Sequence, residues 1–421
     1  MESITLIEHE ALPVVPKRAK GQKALSSEHA EALAKLERQF PPGTFTWGNH
    51  VVKFAHYCGV IALGKLTLEI LPKIYGKETE PGSCRKVLIK MLVKAKRLKA
   101  QRGGTANIAL QKAALLDVFI LHFCDQLHAE LMQGMIRNYI IRNENINVLR
   151  GRLRVEQQFK HNLTHKERLY CQYDELSTDN AHNQAIKYIL KLMMRVSTGV
   201  VVRKQLTELL MRFDPITDTT VNVQMVDNLK FNRSTSRYKR IFRQCSWFLQ
   251  GLHPDVLAGH DSCITLLFDM NQLFESYVAN MFKKMAWAAG KRMRQQGPQK
   301  YMLKRDEKNQ QLFLMKPDMT FLDTEDNCVA IADAKWKILD EREKKLGIAQ
   351  EDLYQISSYA IRYRVDRLAL VYPKQQWLQN TIELQIQGTT TTLNVIPIDV
   401  TSSNEGKVKG LDVLIGPSLL R

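Results

Sequence analysis

The sequence offers nothing for cysteines to build on. There are seven, Cys58, Cys84, Cys124, Cys171, Cys245, Cys263 and Cys328, an odd number with no CxxC among them. That excludes a disulfide framework and a cysteine-rich zinc module, and it fits a reducing cytoplasmic location. The opening MESITLIEHEALPVV lacks a basic start followed by an apolar run, so no secretory signal is expected. No segment approaches the roughly 18 apolar residues that a spanning helix needs, so no membrane partner is expected. Internal repeats and low-complexity tracts are missing too. Acidic residues are in deficit, with 43 Asp and Glu against 61 Lys and Arg, a net charge of +18. Such an excess attracts polyanions, of which nucleic acid is the commonest. One further absence is a single hydroxyl. Gly59-Val-Ile-Ala-Leu-Gly64-Lys65-Leu66 nearly matches the phosphate-binding pattern GxxxxGK[ST], but Leu66 cannot bring an oxygen to magnesium. The following KLTLEILPKI alternates like a strand, so a β-hairpin with a glycine turn is expected there.

What is present is a chain of 421 residues, 44% hydrophobic and 25% charged. It is too long for one ordinary core and normal for a folded protein. Its organisation reads as α+β and multidomain. Residues 1–80 read as a small β-rich N-terminal domain, with one helix from Ser26 to Phe40 stopped by Pro41-Pro42-Gly43. Residues 81–262 read as a largely helical middle region. It holds helices from about Cys84, from Ala114 to Ile141, from Asn180 to Phe213 and from Tyr238 to Leu252, with an extended stretch at 146–155. Residues 263–421 read as a C-terminal α/β domain with a mixed sheet: helix, hairpin, helix and further strands.

The chemistry concentrates in that last region. Pro317-Asp318 and Asp333-Ala334-Lys335 flank a polar cluster, Asp323 to Asn327, suited to a hairpin loop. If Asp323 pairs with Cys328, counting back along both strands sets Asp318 opposite Asp333. Side chains so opposed lie about 5 Å apart at Cβ. Lys335, two residues on, shares the face. Two carboxylates supply hard oxygen ligands for Mg2+ or Mn2+, and an ammonium beside them can assist an attacking water or offset charge at a phosphate.

These residues resemble the PD-(D/E)xK nuclease motif, and the context adds to the likeness. Members of that superfamily often carry a metal-contacting Glu on the preceding helix, where Glu275 stands. RecB-like members add a QxxxY on the following helix, and Gln355-Ile-Ser-Ser-Tyr359 supplies it, with i,i+4 spacing on one face. The resemblance implies a restriction-endonuclease-like domain. It casts Asp318, Asp333 and Lys335, with Gln355 and Tyr359, as catalytic residues. It makes Glu275, Asp318, Asp333 and the Ala334 carbonyl the metal ligands.

Three further segments are similar to McrC proteins: GVIALGKLTLEILPKI ending at Leu71 to Ile74, LRGRLRVEQQ at 149–158, and YDELSTDNAHN at 173–183. McrC-like proteins are nuclease subunits of McrBC-type modification-dependent (type IV) restriction systems. They act on double-stranded DNA with an McrB-like AAA+ GTPase, which the family N-terminal region engages and stimulates. The resemblance implies a Mg2+-dependent endonuclease subunit of such a system. Two other readings stay open: a non-catalytic activator of an AAA+ NTPase, and a stand-alone RecB-like repair nuclease.

Several other clusters carry weaker readings. Arg150, Arg152 and Arg154 alternate and are expected to share one strand face, as a phosphate or acidic-partner grip or as a solvated edge. Asp174, Glu175 and Asp179 suit capping and internal hydrogen bonds better than a second metal. His161 and His165 have no third ligand at zinc spacing. Lys86, Lys90, Lys94, Lys96 and Arg97 read as a solvated helix face.

Overall fold

The structure, a computed structural model, describes residues 2–37, 40, 43–95, 114–253, 263–339, 342–343, 345–402 and 414. Lys96 and Arg97 of the lysine-rich helix face lie outside the described residues. The chain forms two compact units, each assembled from separate segments. One comprises Met1–Ser3, Val60–Thr67 and Ala113–Leu266, and the other Ile4–Gly59, Leu68–Lys112 and Leu267–Arg421.

The first 80 residues are β-rich, with seven strands and the helix Ser27–Glu37 among the described residues. The near-match to a phosphate-binding loop is a hairpin: Tyr57–Leu63 and Leu66–Leu71 are neighbouring strands joined at Gly64, whose φ of +57° is easy for glycine. No helix follows, so the expectation of a hairpin holds.

In the helix Pro81–Lys94, Cys84, Val87, Leu88, Met91 and Leu92 are buried at i, i+3, i+4, i+7 and i+8, the amphipathic spacing. Its opposite side is not simply solvated. Lys90 donates to the carbonyls of Val400 and Ser402, and Arg85 grips Glu69 bidentately at 2.5 and 2.6 Å. Glu69 is 1% exposed and also accepts from Thr5 Oγ1 at 2.9 Å. The lysine-rich stretch therefore spends part of its charge inside the unit.

The unit containing residues 113–266 is built on the helices Leu115–Leu131, Ala181–Val196, Val200–Arg212 and Lys239–Gln250. Phe119, Phe123, Ile186, Leu206 and Phe248 lie in its core. Buried Asp117 accepts from Thr198 Oγ1 and from the Thr198 and Gly199 backbone N–H groups at 3.0–3.3 Å. It thereby meets donors at the start of Val200–Arg212. Of the stretch from Ala114 to Ile141, expected as one or two helices, only Leu115–Leu131 is helical, and Gly134, at φ +97°, takes the chain out. Asn138–Ile146 is then a strand of a three-stranded sheet, paired with Leu169–Ser177, which also pairs with Arg152–Leu153.

That short third strand overturns the expected alternation of Arg150, Arg152 and Arg154. Gly151 has φ +67°, and a Cβ there would lie 2.4 Å from the Gln172 carbonyl, so the chain kinks between the first two arginines. Arg150 stacks on the Tyr173 ring at 4.1 Å, and Arg154 stands at the N-cap position of the helix Val155–His161 without a side-chain capping bond, its N–H donating to the Tyr170 carbonyl at 2.9 Å. In the segment 173–183, Asn180 caps its helix by accepting from the Asn183 N–H, and Asp179 accepts from Thr217 and Gln184. His161 stacks on Tyr170 and His165 faces Glu167.

The C-terminal sheet is mixed, as expected. Its six strands run in the order Arg292–Gln295, Met319–Leu322, Cys328–Ala334, Arg367–Pro373, Thr392–Ile398, Ile382–Gln385. The central pairings, Cys328–Ala334 with Arg367–Pro373 and that strand with Thr392–Ile398, are parallel; the outer ones are antiparallel. The first parallel pair needs a crossover, which the helix Gln350–Tyr363 provides. Ile356, Tyr359, Ala360 and Tyr363 bury that helix against Ile331, Leu368, Leu370 and Leu393. From the helix Met270–Ala288, Phe282 and Phe274 meet Phe321 and Trp336. The strand-like run LFLMKPDMTFL holds parts of two strands: Gln310–Met315 pairs with Lys300–Arg305 in a separate ribbon, and Met319–Leu322 enters the sheet. Pro317 between them has no N–H to continue a ladder.

Replacing Arg85 by Ala strands the Glu69 carboxylate in the interior and is expected to lower unfolding stability by about 3–5 kcal/mol. Arg85→Met combined with Glu69→Leu is expected to recover most of that loss. Urea unfolding of both variants checks it.

Candidate active site

The hairpin that carries the motif keeps its register by an irregularity. Met319 pairs with Ala332, Thr320 with Ile331 and Phe321 with Ala330, but Leu322 pairs with Cys328, one residue being bulged out between. Cys328 therefore faces Leu322 and not Asp323, whose N–H instead donates to the Asn327 carbonyl across the turn. Continued one step past Met319 and Ala332, the register sets Asp318 across from Asp333, as the sequence count required. One step further it sets Pro317 across from Ala334. Proline has no N–H to give the Ala334 carbonyl. The Ala334 N–H donates to Asp318 Oδ2 at 2.9 Å.

Strand alternation then sorts the faces. Ile331, Asp333 and Lys335 project toward the helix Gln350–Tyr363, where Ile331 joins the apolar cluster. The Lys335 ammonium lies 2.8 Å from Asp333 Oδ2 and 3.4 Å from Asp352 Oδ1, and it donates to Gln355 Oε1 at 3.0 Å. Gln355 Nε2 donates in turn to the Tyr359 hydroxyl at 3.0 Å. The QxxxY pair thus holds the lysine head in place through its glutamine, with the tyrosine, 4% exposed, behind it.

Glu275, on the helix Met270–Ala288, comes in through Gln296. Gln296 Nε2 donates to Glu275 Oε1 at 2.9 Å while its backbone N–H donates to the Asp318 carbonyl at 2.9 Å. Glu275 adds its field to that of Asp333 at Asp318.

The electrostatics are those of acids crowded out of water. Burial first, then the charges of Asp333 and Glu275, push the Asp318 carboxyl up to about 8. Burial also holds Asp333, 2% exposed, above the usual carboxylate range, against the opposing pull of Lys335. At Lys335 burial works to lower the pKa, but Asp333 and Asp352 outweigh it and keep the ammonium charged. Burial raises the Tyr359 hydroxyl, so it stays protonated. Asp333 Oδ2 has no hydrogen bond of good geometry among the described residues and faces only the ammonium. A buried carboxylate oxygen so placed, beside a second carboxylate that is unfavourable to ionise, fits a divalent cation with hard oxygen ligands.

All the residues singled out from the sequence, Glu275, Asp318, Asp333, Ala334, Lys335, Gln355 and Tyr359, therefore belong to one connected cluster. Three members were missed: Asp352, Lys337 and Gln296. Asp352, 6% exposed, pairs with Lys335 and with Lys337, whose Nζ donates to its Oδ2 at 2.8 Å. Its spacing of three from Gln355 and seven from Tyr359 puts it on the same helix face, a signal the sequence did contain. Gln296, at φ +53°, follows no motif.

With this geometry in hand, comparison with known proteins is informative. The model of a family described as McrBC 5-methylcytosine restriction system component matches residues 52–373. No curated protein matches the chain. A solved half-complex of Thermococcus gammatolerans McrB AAA+ hexamers with bound McrC, from a tetradecameric assembly, contains a similar chain. It is 20% identical over 98% of this chain and 98% of that one, with a TM-score of 0.73. The cryo-EM structure of the Thermococcus gammatolerans McrBC complex contains another, 23% identical over 66% of this chain and 87% of that one, with a TM-score of 0.51. At these identities the structural likenesses speak to the fold, whereas the family match spans most of the sequence. The chain belongs to the McrBC 5-methylcytosine restriction system component family, and its fold is McrC-like.

Proposed function

We propose that the chain is the DNA-cleaving subunit of an McrBC-like restriction system, hydrolysing phosphodiester bonds with a PD-(D/E)xK site that takes Mg2+ or Mn2+. The observation that carries this reading is half-buried Asp318, just before the strand Met319–Leu322, accepting from the Ala334 N–H next to buried Asp333, with Lys335 held beside them by Gln355. Asp318 and Asp333 would hold the cation, with Glu275 and the Ala334 carbonyl completing the protein's share. When bound, the cation supplies positive charge at the scissile phosphate and makes the attacking water easier to ionise. Lys335, kept protonated, orients that water and opposes charge growing on the phosphate oxygens. Asp352 and Gln355 keep the ammonium from collapsing wholly onto Asp333. The net charge of +18 favours double-stranded DNA as the substrate.

The partner in this reading is an McrB-like AAA+ GTPase, as in the solved complexes that contain similar chains. The three-stranded sheet, the helix Val155–His161 and the bends beside them present the apolar side chains a docking surface needs: Tyr139, Ile141, Leu149, Phe159 and Leu163 are each at least 60% exposed. Among the described part of the first 80 residues, the exposed large apolar side chains are Trp47 and Tyr75 alone, at 37% and 40%. Patch substitutions Leu149→Asp and Phe159→Asp are expected to abolish co-elution with the motor and leave melting behaviour unchanged. Wild-type assembly by both would remove this surface from consideration.

Asp333→Ala and Lys335→Ala are each expected to reduce cleavage of methylated DNA, with motor, GTP and Mg2+ present, by about a hundredfold or more. Circular dichroism and motor binding should be retained; cleavage at the wild-type rate by either variant sinks the nuclease assignment. The acid cluster adds a pH signature. The folded-state pKa of Asp318 lies above its unfolded value of about 3.9, so its contribution to stability is complete below that value and is lost as pH rises through about 8. Metal-free protein should therefore lose thermal stability between pH 5 and 8 more steeply than Asp318→Asn. Mg2+ should restore it at pH 8 in the wild type only.

A further inference from the structure

Away from the nuclease cluster, a second set of ligand atoms converges in the same compact unit. Glu8 and His9 lie in the turn after the strand Glu2–Ile7, and His56 lies between Val51–Phe54 and Tyr57–Leu63. One carboxylate oxygen of Glu8 and one ring nitrogen from each histidine all lie within 4.8 Å of one another, the single such group of three among the described residues. His9 Nε2 is 3.7 Å from Glu8 Oε1, and the two imidazoles meet edge to face at 5.7 Å. The chain arranges this deliberately in both turns. His9 and His56 have φ of +70° and +61°, and backbone bonds hold them there: His9 N–H to the Phe54 carbonyl at 2.9 Å and Met270 N–H to the His56 carbonyl at 2.8 Å.

The donor set has the supporting contacts that metal ligands need. Glu8 is 3% exposed; its Oε1 accepts from the His56 N–H at 3.0 Å and its Oε2 from Trp336 Nε1 at 3.1 Å. Those bonds fix the carboxylate in one orientation without using its remaining lone pairs. The ring nitrogens of His9 and His56 take no hydrogen bond among the described residues. All three side chains open into one cavity of about 320 Å3, so a fourth ligand has room. Lys73 and Lys374 also line it, which favours an anion or hydroxide in that fourth position.

We propose that Glu8, His9 and His56 form a transition-metal site, with zinc as the ion best matched to one carboxylate, two imidazoles and an open position. Two nitrogens and one oxygen suit Zn2+ or Co2+ and do not suit Mg2+, which demands an octahedron of oxygens. The site is distinct from the nuclease cluster and does not depend on its chemistry. Two side chains lie between them: Lys337 lines the cavity and pairs with Asp352, and Trp336 follows Lys335, donates to Glu8 and packs on Phe274, next to Glu275, at 5.4 Å. An ion on Glu8 therefore braces the end of the strand that carries Asp333 and Lys335.

The test is a Co2+ titration of the full chain after chelator treatment. The expected result is one equivalent bound with the visible absorption of four-coordinate cobalt, displaced by Zn2+ and not by Mg2+. His9→Asn and His56→Asn, chosen because asparagine tolerates the left-handed backbone of both positions, are expected to weaken binding more than about tenfold while leaving the metal-free melting curve in place. Asp333→Asn is expected to bind as the wild type does. Binding unchanged in both histidine variants, no cobalt binding by the wild type, or a spectrum showing cysteine thiolate ligands would each overturn the proposal.

Discussion

Two carboxylates set side by side out of water repel each other and resist ionisation, and the C-terminal sheet is arranged around that problem. Asp318 and Asp333 face each other because the hairpin register puts them there. Nearby groups then limit the unfavourable energy without removing it. The Ala334 N–H meets one acid and the Lys335 ammonium the other. Lys335 is shared with Asp352 and tied to Gln355, so it cannot fully neutralise either neighbour. What remains is a pair of acids that resist ionisation in a partly dry pocket, an energy that a divalent cation would relieve. The rest of the domain supports this: a crossover helix supplies Asp352, Gln355 and Tyr359 from one face, and the preceding helix brings Glu275 in through Gln296.

The same rule, that a buried acid must meet donors, recurs elsewhere in this basic protein, with different outcomes. Glu69 is answered by a bidentate arginine, Asp117 by two backbone N–H groups and a hydroxyl, Glu8 by an indole and a backbone N–H. Glu69 and Asp117 are satisfied and serve the fold. Glu8 keeps coordinating capacity beside two imidazoles. Asp318 keeps more still, for among the described residues its carboxyl accepts from a neutral N–H alone while two further acids raise its pKa. How completely a buried carboxylate is answered separates framework from chemistry here.

Much of the architecture was legible because it rests on period and punctuation. The amphipathic spacing of Pro81–Lys94, the glycine turn at Gly64 and the alternating helix and strand segments after Cys263 all follow from local rules. The candidate site was legible for a related reason, since Asp333 and Lys335, and Gln355 and Tyr359, stand at spacings of two and four that one strand and one helix convert directly into shared faces. Where local rules were read too far, they failed. The helical reading of Ala114–Ile141 was overextended because Gly134 was passed over, and the Arg150–Arg154 alternation because Gly151 takes a backbone turn no strand allows. The loop pair expected between Asp323 and Cys328 does not form: Cys328 faces Leu322, and one bulged residue brings the register back to Phe321 with Ala330 and on to Met319 with Ala332.

By itself, then, the sequence determined which side chains could share a face, since a residue's direction along a strand or helix depends on its neighbours a few positions away. It also determined the positive field and the family likeness carried by several short segments. Only the tertiary structure decided what lies opposite those faces. Gln296 linking Glu275 to Asp318, Trp336 reaching back to Glu8, and His9 meeting His56 all join residues separated by tens to hundreds of positions. Such contacts arise from the packing of whole elements, and no local period records them.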